Sequence, residues 1–304
     1  MNIPRFTPGA LRLRWKQHFG HGLRAAWYRD VVRPRILHTA AVTGTTDPTA
    51  EIHVLTSAGD WLNLLWTLKS FYAVAPRKYA LCIHGDKTLP AVALENLAQH
   101  FPDARIIPRD EADARADTVL RDFPRCRQFR NTNLLAPKVF DFPAFLGTDR
   151  MALFDSDLLF FAEPEEYLRR IEDPEFRQNA FNADIASSYT VEPAAVIERC
   201  GFALHPKINS GLGLIHRASM RLDWIEEFLS LPGITEGHFW RIEQTLYALC
   251  SSRYGVELLP APYTFYHEPG LHGRPFRHYI GCIRHLMYEE GMRQLTRNGF
   301  LRQR

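Results

Sequence analysis

The sequence feature that most limits the possible folds is an alternation of short β-rich runs with helical segments. Residues 51–57 (EIHVLTS), 79–84 (YALCIH) and 104–108 (ARIIP) have the composition of strands. Helical patterns occupy residues 62–72 and 90–100 between them. This order predicts an α/β fold with a mostly parallel central sheet and flanking helices, in a single catalytic domain. Because ligands bind beyond the carboxyl ends of such strands, we expect the functional side chains in the loops there.

An acidic pair follows a fourth predicted strand. Residues 151–154 read MALF, the chain continues with Asp155, Ser156 and Asp157, and residues 158–161 read LLFF. Carboxylates two positions apart on a strand point the same way and repel each other, and unpaired charge among apolar runs is costly. Mg²⁺ or Mn²⁺ would offset this repulsion and keep coordination positions for phosphates. The alternative is two acids in an ordinary turn.

Composition excludes several classes of protein. The 304 residues are 46% hydrophobic, which predicts a folded core rather than disorder. No apolar run is long enough to cross a membrane and no signal peptide pattern is present, so we expect a cytoplasmic protein that is soluble or peripheral to a membrane. The cysteines are odd in number and without a CxxC pair, which resembles neither a disulfide framework nor a zinc site and fits a reducing cytoplasm. They are Cys82, Cys126, Cys200, Cys250 and Cys282.

The N-terminal residues form a basic segment. Residues 1–38 contain eight Lys and Arg against one Asp, a net charge of +7, whereas the whole chain carries +3. Apolar side chains recur there at every fourth position, which predicts an amphipathic basic helix. These are Leu11, Trp15, Phe19, Leu23 and Trp27. We therefore expect an arm over residues 1–45, followed by the catalytic domain over residues 46–304. The helix either packs on the domain or contacts an anionic membrane; no motif that reads nucleic acid is present.

Further motifs accompany the acidic pair in a fixed order. Lys138 precedes it, and INSG (208–211), EQ (243–244) and HYIGCIR (278–284) follow it. Over residues 50–290 this set resembles the GT-A glycosyltransferases, in particular the retaining family that includes bacterial galactosyltransferases and glycogenin (glycosyltransferase family 8). The resemblance implies a Rossmann-like GT-A fold. It also implies a hexosyltransferase that moves a sugar from a nucleotide-diphosphate donor, UDP-linked, to a hydroxyl of a carbohydrate or other acceptor, with retention of configuration.

The resemblance also implies a metal site and a diphosphate site. Asp155 and Asp157 would bind Mn²⁺ or Mg²⁺, and His278 would supply a third ligand. A neutral imidazole suits Mn²⁺. Gly281 would let the backbone approach the diphosphate, and Arg284 would contact it. The family has a lysine where Arg284 stands. Arg284 keeps the positive charge but carries it on a planar guanidinium group instead of an ammonium group.

The remaining implied roles concern the donor and catalysis. Glu243 and Gln244 would act at the anomeric carbon, where positive charge develops. Lys138 occupies the place of a family arginine that contacts the donor sugar. The other positions implied in donor binding are Thr56, Ala58, Asp60, Asn209 and Gly211.

Two other functions remain open. The sequence DSDLL could be the nucleophile motif of a haloacid-dehalogenase-type phosphatase, which also places a DxD after an apolar strand. That motif usually lies near the N-terminus, whereas a βαβ region precedes it here. The chain could also be a non-catalytic glycosyltransferase-like binding protein, since a fold does not secure an activity. The presence of both His278 and Gln244 favours an enzyme.

Overall fold

The computed structural model describes residues 19–302, which form two compact units. The larger unit comprises residues 41–266 and 273–278, and the smaller one comprises the described residues up to 40 together with 267–272 and 279–302. The predicted boundary between an arm and a domain at residue 45 stays a prediction.

A seven-stranded sheet lies at the centre of the larger unit, in the order β3-β2-β1-β4-β7-β6-β8. Four pairs of neighbouring strands are parallel: β1 with β2, β1 with β4, β2 with β3, and β6 with β8. Strand β7 is antiparallel to both of its neighbours, β4 and β6. The predicted α/β class with a mostly parallel central sheet is therefore confirmed. The strands are β1 (Asp47–Thr56), β2 (Tyr79–Gly85), β3 (Arg105–Ile107), β4 (Arg150–Phe154), β6 (Asn179–Ala183), β7 (Ile208–His216) and β8 (Val256–Leu258).

A second, two-stranded sheet joins distant parts of the chain. Strand β5 (Leu158–Phe160) follows the acidic pair and is antiparallel to β9 (Phe276–His278). The ring of Phe160 lies 5.5 Å from that of Phe154 and 5.8 Å from that of Phe276, measured between centroids. This aromatic packing fixes the segment from β4 to β5 on both sides of the acidic pair.

The helices of the larger unit flank the sheet, as predicted. They are α1 (Trp61–Val74), α2 (Ala91–His100), α3 (Arg109–Val119), α4 (Pro124–Thr132), α5 (Ala136–Phe145), α6 (Glu165–Glu172), α7 (Pro193–Cys200), α8 (Leu222–Phe228) and α9 (Phe239–Tyr254). Helix α1 is apolar on most of its faces because it is buried against β5 as well as the core. Its Thr67 hydroxyl donates a hydrogen bond to the carbonyl of Leu158 at 2.7 Å and lies 3.0 Å from that of Ser156.

The smaller unit consists of short helical segments. Its N-terminal part has an α-helix over Leu23–Trp27, and the guanidinium of Arg33 lies 5.5 Å from the centre of the Tyr288 ring. The predicted amphipathic stripe lies partly outside the described residues, since Leu11 and Trp15 precede residue 19. Leu23 and Trp27 are 70% and 54% exposed, so this part of the stripe is not packed. No described helix is long and apolar enough to cross a membrane.

Candidate active site

Two antiparallel pairings bring the acidic pair together with a distant histidine. Asp155 directly follows β4, and its backbone N–H donates to the carbonyl of Gly211 at 2.8 Å, because β4 pairs with β7. Asp157 directly precedes β5, in which Leu158 pairs with His278 of β9. The imidazole of His278 therefore lies beside both carboxylates.

These three side chains form a compact group of possible metal ligands. The Nε2 atom of His278 lies 3.1 Å from Oδ1 of Asp157 and 3.5 Å from Oδ2 of Asp155. One ligand atom from each residue lies within 4.8 Å of the others. Asp157 and His278 are buried and Asp155 is half-buried. Two carboxylate oxygens and one imidazole nitrogen are ligands that suit Mn²⁺ or Mg²⁺, so the residues fit a divalent cation.

Asn209 sets the orientation of the histidine. Its Oδ1 atom lies 3.1 Å from Nδ1 of His278 and 3.0 Å from the backbone N of Gly211, from which it accepts a hydrogen bond. Because this oxygen can only accept, Nδ1 of His278 donates to it, and Nε2 faces the carboxylates. A second hydrogen bond of this kind is what holds metal-binding histidines in place.

The charges of the group depend on one another. Burial opposes protonation of His278, but Asp157 and Asp155 outweigh it and raise the pKa of the imidazole to about 9. Burial likewise opposes ionisation of Asp155, yet Lys138 and His278 hold the pKa of that carboxyl well below its usual range. A cation bound here would take the place of the proton on Nε2 and supply the positive charge that the carboxylates need.

Gly211 makes room for the imidazole. A Cβ atom at this position would lie 2.1 Å from Cε1 and 2.4 Å from Nδ1 of His278, closer than atoms can approach. The side chain of any other residue would therefore displace the ring. The predicted role of Gly211 in donor binding stays a prediction.

Lys138 lies in the same site and is not a solvated lysine. From α5, its Nζ atom donates to Oδ1 of Asp155 at 2.8 Å and to the carbonyl of Ser210 at 3.1 Å, and lies 2.9 Å from Oε1 of Glu243. Its side chain is 2% exposed. Burial opposes the charge, but Asp155 and Glu243 raise the pKa of Lys138 above its ordinary value. Lys138 thus joins the acidic pair to the α9 carboxylate.

Glu243 and Gln244 meet the INSG segment. The hydroxyl of Ser210 donates to Oε2 of Glu243 at 2.9 Å, and the backbone N of Ser210 donates to Oε1 of Gln244 at 3.4 Å. Burial raises the pKa of Glu243 to about 7, although Lys138 opposes this. Within residues 19–302, the buried Nε2 of Gln244 has no hydrogen-bond partner. Ser210 is the residue that the sequence reasoning missed, although INSG contains it and could have indicated it.

The residues expected to bind the nucleoside follow β1. Val54 of β1 pairs parallel with Phe154 of β4, so Thr56 at the end of β1 and the following loop with Ala58 and Asp60 lie at the same sheet edge as Asp155. Asp60 directly precedes α1 and accepts a hydrogen bond from the Ser57 hydroxyl at 3.2 Å. The backbone N of Ala58 donates to the hydroxyl of Thr88 at 3.0 Å. Thr56 is buried, and its hydroxyl has no partner among the described residues.

Gly281 and Arg284 belong to the smaller unit. Gly281 begins a 3-10 turn, Gly281–Ile283, and a Cβ added to it would meet no atom within 4 Å. The Nε of Arg284 donates to the carbonyl of Tyr279 at 3.0 Å. Their predicted contacts with a diphosphate stay predictions.

Several solved structures are similar to this chain. Mouse xyloside xylosyltransferase 1, apo form, is 11% identical, with 77% of this chain and 98% of that chain covered and a TM-score of 0.49. The galactosyltransferase LgtC, in complex with donor and acceptor sugar analogues, is 10% identical over 76% of this chain and 87% of that one, with a TM-score of 0.46. The Mn/GDP form of core-mannan synthase A from Aspergillus fumigatus is 10% identical over 77% of this chain and 78% of that chain, with a TM-score of 0.45.

These proteins are glycosyltransferases, the class that the motifs predict. No protein-family model matches the chain, and no curated protein matches it by sequence. At these identities and TM-scores the likeness carries no argument about chemistry. The function therefore has to be inferred from the side chains of the site.

Proposed function

We propose that this chain is a hexosyltransferase that moves a sugar from a UDP-linked donor to a hydroxyl of a carbohydrate or other acceptor, with retention and with Mn²⁺ or Mg²⁺ as cofactor. The observation that carries this proposal is the meeting of Asp155, Asp157 and His278 with Lys138. With a divalent cation bound between the carboxylates, this group would attract an anionic diphosphate, which the carboxylates alone would repel. The motif resemblance supplies the donor and the stereochemistry.

In this proposal Asp155, Asp157 and His278 would hold the cation, and a bound cation would supply the positive charge that stabilises a leaving nucleoside diphosphate. Asn209 keeps Nε2 of His278 directed at the carboxylates. Lys138 fixes the rotamer of Asp155 and adds positive charge beside it. Each of these residues is held by contacts within the protein, so little reorganisation accompanies donor binding.

Glu243 and Gln244 act at the sugar. Because Oε1 of Gln244 accepts from Ser210, its amide is held with Nε2 as a donor for a sugar oxygen. Glu243 is tied to Lys138 and Ser210, which suits a residue that positions the others and tunes the local charge. Thr56, Ala58 and Asp60 bind the nucleoside, Gly211 and Asn209 border the donor, and Gly281 and Arg284 contact its diphosphate.

The metal-bridged donor site is tested by titrating Mn²⁺ and UDP into the protein. We expect UDP to bind much more weakly after chelation, and Asp157→Asn to reproduce that loss in the presence of Mn²⁺, because the anionic ligand is gone. The matched control is Asp149→Asn, since Asp149 precedes β4 and its side chain is 95% exposed. Equal UDP affinity of Asp157→Asn and wild type, with and without chelator, would contradict the proposal.

Activity assays on the same protein distinguish the transferase from the phosphatase and from the non-catalytic binding protein. A phosphatase would hydrolyse phosphate monoesters and lose that activity in Asp155→Asn. A non-catalytic binding protein would bind UDP without turning over any UDP-sugar. Hydrolysis or transfer of a UDP-sugar that depends on Mn²⁺, in the absence of monoester hydrolysis, would support the transferase.

A further inference from the structure

A second cluster of metal-ligating side chains lies inside the sheet, on strands β1 and β2. His53 of β1 is in register with Cys82 of β2, and His84 lies two positions beyond Cys82. Side chains two positions apart on a strand share a face, so all three point to one side of the sheet. They are fully buried, with 0% exposure for His53 and Cys82 and 1% for His84.

The distances between the possible ligand atoms are close to those of a metal site. The Nδ1 of His53 lies 3.0 Å from Nε2 of His84, and Sγ of Cys82 lies 3.4 Å from that same nitrogen. Zinc binds nitrogen at about 2.0–2.1 Å and sulfur at about 2.3 Å, so tetrahedral ligand atoms lie about 3.3–3.6 Å apart. Small shifts of the three side chains are enough to bring their ligand atoms to this tetrahedral spacing.

Glu51 orients one of the ligands. Its Oε2 atom lies 3.1 Å from Nε2 of His53, and the carboxylate also accepts from Gly147 N at 2.6 Å and from Nη2 of Arg105 at 2.6 Å. Burial opposes its charge, but these three donors lower the pKa of Glu51 to about 2, so it is an acceptor. The Nε2 of His53 therefore carries the proton, and Nδ1 presents its lone pair to His84 and Cys82. A carboxylate behind a histidine is the usual support of a metal ligand.

The surroundings of the cluster suit neutral imidazoles. Burial lowers the pKa of His53 and of His84, so both rings are neutral near pH 7. The ring of Phe142 from α5 lies 4.6 Å from that of His84 and 5.3 Å from that of His53. Within the described part of the chain, Nδ1 of His84 has no hydrogen-bond partner, although it is buried.

We propose that His53, Cys82 and His84 form a three-ligand site for a transition-metal ion of the zinc class, separate from the acidic site. Two imidazoles and one thiolate prefer Zn²⁺ or copper over Mn²⁺ and Mg²⁺, which prefer oxygen ligands. Described residues supply these three ligands and Glu51 behind one of them. The ion joins β1 to β2 under α5, the helix that carries Lys138.

Metal binding in this site releases one proton. Burial raises the pKa of Cys82 to about 12, so the sulfur is a thiol until an ion binds. The S–H bond then breaks, the proton passes to solvent and the sulfur donates its electron pair to the ion. The single proton of His84 moves from Nε2 to Nδ1, which frees Nε2 to bind.

Cobalt spectroscopy tests this site separately from the proposed function. We expect Co²⁺ added to chelator-treated, full-length protein to give a thiolate-to-cobalt charge-transfer band with release of one proton. The acidic site holds no sulfur, so the band should be unchanged in Asp157→Asn and absent in Cys82→Ser. The matched control is Cys282→Ser, because Cys282 is exposed and its Sγ lies 3.8 Å from Nδ1 of His267. Glu51→Gln should weaken Co²⁺ binding by about 10- to 100-fold.

Two results would overturn the inference: no thiolate band in the wild type, or a band that disappears only in Cys282→Ser. If Cys82→Ser does not fold, the other four cysteines are replaced one at a time by serine, and a band that survives every replacement belongs to Cys82. Loss of UDP binding in Asp157→Asn with the band intact separates the two sites. A band without any UDP binding would leave this metal site standing and the proposed function refuted.

Discussion

At the scale of single residues, the site depends on a glycine as much as on its charged groups. Gly211 leaves the space in which the ring of His278 lies, because a Cβ there would meet the imidazole at 2.1 Å. Asn209 in the same segment holds Nδ1 of that ring. The segment thus sets the position of the His278 imidazole beside the two carboxylates.

This arrangement predicts a selective defect in Gly211→Ala. The methyl group should displace His278 from the carboxylates and weaken Mn²⁺ binding by roughly tenfold or more, as loss of support for a metal ligand does. Calorimetric titration of Mn²⁺ measures this. The matched control is Gly213→Ala on the same strand, where a Cβ would meet the Phe181 ring at 2.7 Å. Both variants should lose stability, but equal Mn²⁺ affinities would show that Gly211 has no special part in the site.

At the scale of secondary structure, sequence patterns predicted the parallel half of the sheet and failed for the rest. Strands β1 to β4 were predicted to within about four residues of their ends, since each is a β-rich run between helices. Strand β7 contains two glycines and was not predicted as a strand, whereas it is a strand that is buried throughout. Strands β5 and β9 have three residues each, too few for any periodicity. Local preference cannot reveal such pairings because distant contacts determine them.

The same limit explains which site residues could be predicted. The order of the motifs indicated Asp155, Asp157, Lys138 and His278, and the structure brings these four side chains together. The order of the motifs could not indicate that the Ser210 hydroxyl hydrogen-bonds to Glu243. The cluster of His53, Cys82 and His84 was missed because its ligands come from two strands and form no CxxC pair.

The exposed helix near the N-terminus predicts membrane association. Leu23, Trp27 and Val31 are exposed at four-residue spacing, and Arg24 in the same segment is basic. We expect the double variant Leu23→Ser, Trp27→Ser to bind anionic vesicles at low salt less than the wild type does, because apolar insertion is lost while the charge is unchanged. Vesicle co-sedimentation measures this.

A control for that experiment is Leu134→Ser, since Leu134 is 71% exposed but lies in the larger unit. It should bind vesicles as the wild type does. If the double variant and Leu134→Ser sediment alike, the exposed stripe plays no part in membrane contact.

At the scale of the whole molecule, buried histidines make stability sensitive to acid. His216 at the end of β7 is 6% exposed, and burial together with Arg150 and Arg177 lowers its pKa to about 4. The unfolded chain takes up a proton near pH 6.5, whereas the folded chain resists it until about pH 4. The free energy of unfolding should therefore fall as the pH drops through this window, by about 3 kcal/mol from His216 alone.

Denaturant unfolding at several pH values tests this. His216→Gln should flatten the pH dependence between about 6.5 and 4, although His53 and His84 still contribute in the same direction. The half-buried His205 offers the control variant His205→Gln, which should follow the wild type. If the free energy of unfolding has the same pH dependence in the wild type and in His216→Gln, the lowered pKa of His216 is contradicted.

The pairing of β5 with β9 has a consequence for biosynthesis. Asp157 is synthesised 121 residues before His278, whose strand pairs with the one that follows Asp157. Contacts between such distant residues form slowly because a long loop must close first. On the ribosome the two carboxylates therefore emerge long before the imidazole, and a product that terminates before residue 276 lacks both β9 and the imidazole. The two carboxylates of such a fragment lie close together without the ring that is 3.1 Å from Asp157 in the complete fold, so their mutual repulsion is relieved only when β9 pairs with β5.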